Sequence, residues 1–84
     1  MVTSDKDQHI FYILYLSSVK EEEKFYASLS KVYRADGLAW TNPYPMDVEP
    51  TELKYKEDTG DVIMVLSDGS QLTIDKNGKI LTDN

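Results

Sequence analysis

The sequence predicts an α+β fold: a single small domain spanning residues 1–84, ordered β-α-β-β-β with a short further strand, in which one amphipathic helix packs on an antiparallel or mixed sheet ending in a C-terminal β-meander. Three observations predict it. Residues 19–35 carry a capped apolar stripe at helical spacing, the last third is punctuated by turn signals, and residues 9–16 form a short aliphatic and aromatic run.

The helix is expected over about residues 19–35. Ser18 with Glu21 fits the S-x-x-E capping box, Glu22 and Glu23 put negative charge in the first turn, Lys31 and Arg34 put positive charge in the last, and Gly37 supplies a left-handed stop. Phe25, Leu29, Val32 and Tyr33 recur at i, i+4, i+7 and i+8 and make one apolar stripe. Lys20, Glu23, Lys24, Lys31 and Arg34 lie largely off it.

The meander follows from Asp58-Thr-Gly60, Asp68-Gly69 and Asn77-Gly78, which place strands at about 52–57, 61–67, 70–75 and 79–82. Leu53 and Tyr55 alternate with Glu52, Lys54 and Lys56, and Leu72 and Ile74 with Gln71 and Thr73, as in strands wet on one face. Asp61–Leu66 differs. Val62, Met64 and Leu66 point one way and Ile63 and Val65 the other, so this strand is expected to be central, with one face needing a cover from the rest of the chain or from a partner.

HIFYILYL at 9–16 supports two readings. As a strand it sends Ile10, Tyr12, Leu14 and Leu16 to one face and Phe11, Ile13 and Tyr15 to the other, suiting an interior position beside 61–67; as a helix it starts from a second capping box, Ser4 with Asp7. Length, aromatics and isoleucines favour the strand.

WTNPYPMDVEP at 40–50 holds the sole tryptophan and all three prolines. Between helix and meander it reads as a stiff, ordered strap, because Pro43, Pro45 and Pro50 lack donors and hold their neighbours extended. Trp40 is expected either to fold back onto the open sheet face or to serve a contact. Tyr44 and Met46, set among prolines, are expected to be harder to bury and so to serve as contact residues beside Asp47, Glu49 and Glu52.

The net charge is −6 and its placement is uneven. Residues 1–35 hold five acids and five bases and residues 69–84 two of each, whereas 36–68 hold eight acids against Lys54 and Lys56. Such segregation suggests an acidic face that repels nucleic acid and attracts a basic partner, set against the plainer reading of acids gathered in loops for solubility. With no cysteine, neither disulfides nor cysteine-ligated zinc supplement the core. The longest apolar run, residues 10–16, is far short of the roughly 20 residues of a membrane span, and its flanks are not those of a secretory signal, so a cytoplasmic protein is expected.

Catalytic and cofactor motifs fail on inspection, and no enzyme, cofactor or metal site is expected. His9, the sole histidine, begins an apolar segment with no nucleophile motif, leaving an enzyme built on it the weakest alternative. Three of the four glycines sit in hairpin turns, which removes any phosphate-cradling loop. TIDKNGKILTDN resembles a calcium loop at Asp75, Asn77 and Gly78, but Thr73 and Asn84 stand where the first aspartate and the closing glutamate belong. Glu21–Glu23 point about 100 degrees apart on a helix and are explained by capping rather than paired catalysis. Residues 55–80, YKEDTGDVIMVLSDGSQLTIDKNGKI, resemble the hairpins of small PepSY-type modules, some of which are inhibitory binding domains; the shared residues are mostly those of turns, and no family is assigned on them.

These features point to a non-enzymatic binding protein, an acidic inhibitor or regulator that occludes a basic partner protein, a nucleic-acid-binding protein being one candidate, through residues 36–68, with carboxylates standing where phosphates would sit. Asp47, Glu49, Glu52, Glu57, Asp58 and Asp61 would supply charge, and Trp40, Tyr44 and Met46 the desolvated anchors. The rival expectation is a homodimer covering the two-faced strand 61–67.

Overall fold

The computed structural model describes residues 1–19 and 24–83 and is all-β there, with no helix among the described residues. Eight strands run in order: β1 (Val2–Ser4), β2 (Ile10–Val19), β3 (Lys24–Tyr33), β4 (Gly37–Met46), β5 (Pro50–Tyr55), β6 (Val62–Leu66), β7 (Gln71–Ile74) and β8 (Ile80–Asp83). They form two antiparallel four-stranded meanders, sheet A in the order β1-β2-β3-β4 and sheet B in the order β5-β6-β7-β8.

The expected α+β class and its helix over 19–35 are therefore overturned. Residues 24–33 form a ten-residue strand paired antiparallel with β2 from Val19↔Lys24 to Ile10↔Tyr33. The helical stripe does not survive the pairing. Leu29 faces the core, whereas Val32 stands on the opposite face opposite Phe11, because strand geometry separates positions an odd number apart. Capping and propensity contribute tenths of a kcal/mol to about 1 kcal/mol each, and tertiary pairing overrides them. The N-terminal half of the expected capping box, Ser18, lies in β2, while Lys20 and Glu21–Glu23 lie outside the described residues.

Of residues 9–16, all from Ile10 onward belong to a strand, and β2 is interior, but its neighbours are β1 and β3 rather than 61–67, which lies in the other sheet. The proline segment is no connecting strap. It forms most of β4, an edge strand paired with β3. Pro43 and Pro45 fit there because residues two apart direct their backbone groups to the same side, so both missing donors fall on the outer edge and cost the ladder nothing.

The last third keeps the strand order its turns imply. Gly60, Gly69 and Gly78 all have positive φ, and the β6–β7 and β7–β8 turns close through Leu66 N to Ser70 O and Asp75 N to Lys79 O. Asp68 and Asp75 brace those turns by accepting backbone N–H bonds from Ser70, and from Asn77 and Lys79.

The two sheets stack over one apolar cluster. Tyr12, Leu14, Ala27, Leu29, Tyr44 and Met46 come from sheet A, and Leu53, Val62, Met64, Leu72 and Ile74 from sheet B. On β6, Val62 and Met64 are buried in this core, while Ile63 and Val65 are half-buried on the outer face. The outer face of sheet A presents Val2 and Ser4 of β1, Phe11, Ile13 and Tyr15 of β2, Tyr26 to Val32 at alternate positions of β3, and Leu38, Thr41, Pro43 and Pro45 of β4. Register shifts interrupt β3/β4, β5/β6 and β7/β8, so three of the four edge strands are bulged. The Cα trace measures 39 × 24 × 18 Å, and no helix among the described residues is long and apolar enough to cross a membrane.

Candidate partner-binding cleft

Antiparallel connectivity gathers most of the loops toward two ends. The β4–β5 connection and the β6–β7 turn share one end, joined by Ser67 N donating to Glu49 O at 2.8 Å. Toward the other, Asp5 of the β1–β2 turn and Glu57 and Asp61 beside the β5–β6 turn gather around Tyr55 near Tyr33, while the β7–β8 turn lies over β4 against Trp40, Asn42 and Tyr44.

At the first end a cleft of about 360 Å³ opens between the two sheets. Tyr44, Pro45 and Met46 line its sheet A side, Leu66, Leu72 and Ile80 its sheet B side, and Asp47, Val48, Asp68 and Ser70 its mouth. The strand period puts them there. Tyr44 and Met46 alternate with the two prolines, and since the prolines take the outer positions, the tyrosine and methionine turn inward. Both are buried, which corrects the expectation that the prolines would keep them exposed as contact residues. They reach the cleft only from its inner wall. Burial raises the Tyr44 phenol above its ordinary value. Asp68 is held below the usual carboxylate range by hydrogen bonds from the Ser70 hydroxyl and backbone N–H, so it stays ionised to lower pH than a free aspartate.

Trp40 packs against the other half of the molecule. Its ring meets Tyr12 edge-on at 6.0 Å between centroids, and Nε1 donates to the Lys76 carbonyl at 3.1 Å. Three further sheet A side chains reach the same β7–β8 turn. Lys31 Nζ donates to Lys76 O at 3.0 Å, and Asn42 Nδ2 and the Tyr44 hydroxyl donate to Gly78 O. Lys31 is 95% buried, with its ammonium 5.2 Å from the Tyr33 ring centroid and 5.8 Å from that of Tyr12. This latch ties the β4 edge to sheet B. The sequence-derived role of D-K-N-G as a hairpin turn is thus extended: its carbonyls are also acceptors for the facing sheet.

The nine residues singled out from the sequence do not share one surface. Asp47 and Glu49 sit at the cleft end with Tyr44 and Met46 behind them; Glu57, Asp58 and Asp61 sit in and beside the β5–β6 turn at the far end; Glu52 lies on the exposed outer face of sheet B, 3.9 Å from Lys54; Trp40 belongs to the latch. At the far end Tyr55 is raised above its ordinary value, first by burial and then by Asp5, Glu57 and Asp61, which places those carboxylates around it. There too His9 lines an open depression of about 480 Å³ with Tyr33, Arg34, Ala35 and Asp36.

Comparison with known proteins adds no relative. No family model, curated protein or solved structure matches the chain.

Asp68, Ser70, Leu72 and Ile80 went unremarked as site residues in the sequence because nothing local says which hairpin turn will stand opposite Tyr44. The signal present was only the alternation that turns Leu72 inward; the juxtaposition itself arises from the stacking of the two sheets.

Proposed function

We propose that the chain is a non-enzymatic, cytoplasmic binding protein, a small acidic inhibitor or regulator that occludes a basic partner protein, and that the cleft between β4 and the β6–β7 turn is its working surface. One observation carries this reading: Asp47 and Asp68 flank the mouth of a slot whose walls are Met46, Leu66, Leu72 and Ile80. Such a slot fits an inserted lysine or arginine side chain, whose methylene stem lies along apolar walls while its cation meets the carboxylates. Glu49 adds charge beside it and favours a fast, salt-sensitive approach. Because the acids of 36–68 divide between the two ends, a continuous row of phosphate mimics is not part of this reading.

The test is capture from the native host with three baits: wild type, an Asp47→Asn/Glu49→Gln/Asp68→Asn variant, and a Glu57→Gln/Asp58→Asn/Asp61→Asn variant. The expected result is a basic protein held by wild type and by the far-end variant, lost by the cleft variant, and released as salt rises. Equal capture by all three baits would reject the cleft, and capture lost only with the far-end variant would move the site to the β5–β6 turn.

A further inference from the structure

The lining of the cleft between β4 and the β6–β7 turn holds no lysine, arginine or histidine, and its two carboxylates are held in different ways. Asp68 is the more constrained. Its Oδ1 accepts the Ser70 backbone N–H at 2.9 Å and the Ser70 hydroxyl as well. Two hydrogen bonds fill the lone pairs of that oxygen, so Asp68 has only Oδ2 left to offer a ligand. The Ser70 hydroxyl has given its proton to Asp68, so toward the cleft it too is an acceptor. Asp47 is exposed at the rim, and its carboxylate accepts no hydrogen bond among the described residues. The mouth therefore carries separate single acceptors, Asp47, Asp68 Oδ2 and Ser70 Oγ, beside the apolar walls.

We propose that the side chain this cleft recognises is lysine rather than arginine, with Ser70 setting the preference through its hold on Asp68; the inference rests on the cleft being the working surface. An ammonium is a compact head with three donors and is satisfied by single acceptors in different directions. A guanidinium is planar, and its strongest partner is a carboxylate with both oxygens free, which takes two parallel N–H bonds at once. Asp68 cannot complete that fork while Ser70 occupies Oδ1. Asp47 can, but it is exposed, and a fork formed there leaves the guanidinium in water beside the slot, where an ion pair contributes little. The walls act in the same direction, since lysine lays the longer aliphatic stem along Leu66, Leu72 and Ile80. The net charge of −6 attracts either cation alike, so the choice between them falls to the acceptors. Acetylation of the partner's lysine, which removes its charge and leaves a single N–H donor, abolishes recognition.

Titration of the isotope-labelled full chain with butylammonium and butylguanidinium chlorides, probes that share a stem and differ in their heads, tests the proposal through the backbone amide signals. Both are expected to move the signals of Asp47 and Leu72 with dissociation constants in about the millimolar range, butylammonium binding at least about threefold more tightly. Ser70→Ala, which frees a lone pair on Asp68 Oδ1, is expected to bring the ratio to about one. N-butylacetamide, the acetylated probe, is expected to move neither signal. Unchanged amide signals away from the turn would show that the variant is folded. Butylguanidinium bound by wild type as tightly as butylammonium, or a preference that survives Ser70→Ala, would overturn the lysine assignment and leave the cleft reading standing. No shift at the cleft with either cation, or an equal shift with N-butylacetamide, would overturn the cleft reading and this inference together.

Discussion

Sheets A and B solve the same covering problem with unequal material. Three strands of sheet A are ten residues long, whereas the longest of sheet B has six, so the shorter sheet screens only part of the longer one. Tyr12, Leu14, Ala27 and Leu29 lie under it and are buried, but Leu16 on β2 remains 43% exposed although its β3 partner Ala27 and, further along β4, Met46 are buried, so the cover reaches further along β3 and β4 than along β2; Tyr33, toward the opposite end, is 38% exposed. The core is therefore as large as sheet B allows. The described outer face of sheet A is left to apolar and hydroxyl side chains such as Phe11, Ile13 and Thr41, while sheet B turns Glu52 and Lys54 to water.

The sharpest way to break this comparison is to truncate leucines on one face of sheet A. Leu29→Ala, inside the overlap and fully buried, is expected to cost about 2–5 kcal/mol, the range for a core leucine whose cavity cannot fully collapse. Leu16→Ala, on the part of β2 left uncovered, is expected to cost less than about 1 kcal/mol, since much of its surface is already wet. Urea titration of both variants measures the contrast. Equal losses would mean that sheet B also covers β2 at Leu16.

A second comparison sets the β6–β7 turn against the β7–β8 turn. Gly69 and Gly78 have nearly the same left-handed φ, 90° and 87°, but a Cβ on Gly69 would meet nothing within 4 Å, whereas on Gly78 it would run into the Asn42 side chain and the Trp40 ring. Gly69→Ala is expected to cost about 1 kcal/mol from backbone strain alone. Gly78→Ala is expected to cost about 2 kcal/mol or more, because the latch must also open to admit the methyl group. Denaturant midpoints would measure both. Matching values would show that the side chains of β4 yield without loss and that the latch contributes little.

How much of this was legible in the sequence also divides by sheet. Sheet B was readable because its strands are short, their alternation is clean, and Asp68-Gly69 and Asn77-Gly78 mark where the chain reverses. β3 was not. KFYASLSKVY satisfies two periods at once, and the strand reading requires a lysine, Lys31, on the buried side, which no local rule anticipates. Its ammonium is accommodated only because the Lys76 carbonyl and two tyrosine rings arrive from elsewhere in the fold. β4 was hidden by Pro43 and Pro45, which argue against an interior strand and are compatible with an edge, a distinction set by sheet order. Of the cleft, Tyr44, Met46 and Asp47 were in hand as neighbours in sequence; Asp68 and Leu72 join them by tertiary stacking alone.

The finest contrast concerns two buried tyrosines of sheet A that meet sheet B differently. The Tyr44 hydroxyl donates to Gly78 O, whereas the Tyr12 hydroxyl has no hydrogen-bond partner among the described residues, although the residue is fully buried. Burial raises the Tyr12 phenol well above its ordinary value, with further pushes from Tyr55, Tyr33, Asp61 and Asp75, so it is neutral at any physiological pH. A hydrogen-bonded buried hydroxyl contributes about 1 kcal/mol, while an unpaired one carries its desolvation cost without return. Tyr44→Phe is thus expected to destabilise by about 1 kcal/mol, tempered because Asn42 Nδ2 still reaches the freed carbonyl at 3.5 Å. Tyr12→Phe keeps the ring, its edge contact with Trp40 and its tilted contact with Tyr55, and is expected to leave stability unchanged or raise it by up to about 1 kcal/mol. Paired thermal and urea unfolding of the two variants would test the opposite signs. A loss at Tyr12 equal to that at Tyr44 would mean that the Tyr12 hydroxyl is satisfied in solution, and that the interior between the sheets beside Trp40 and Tyr55 admits a polar group which the tight stacking of the core would otherwise exclude.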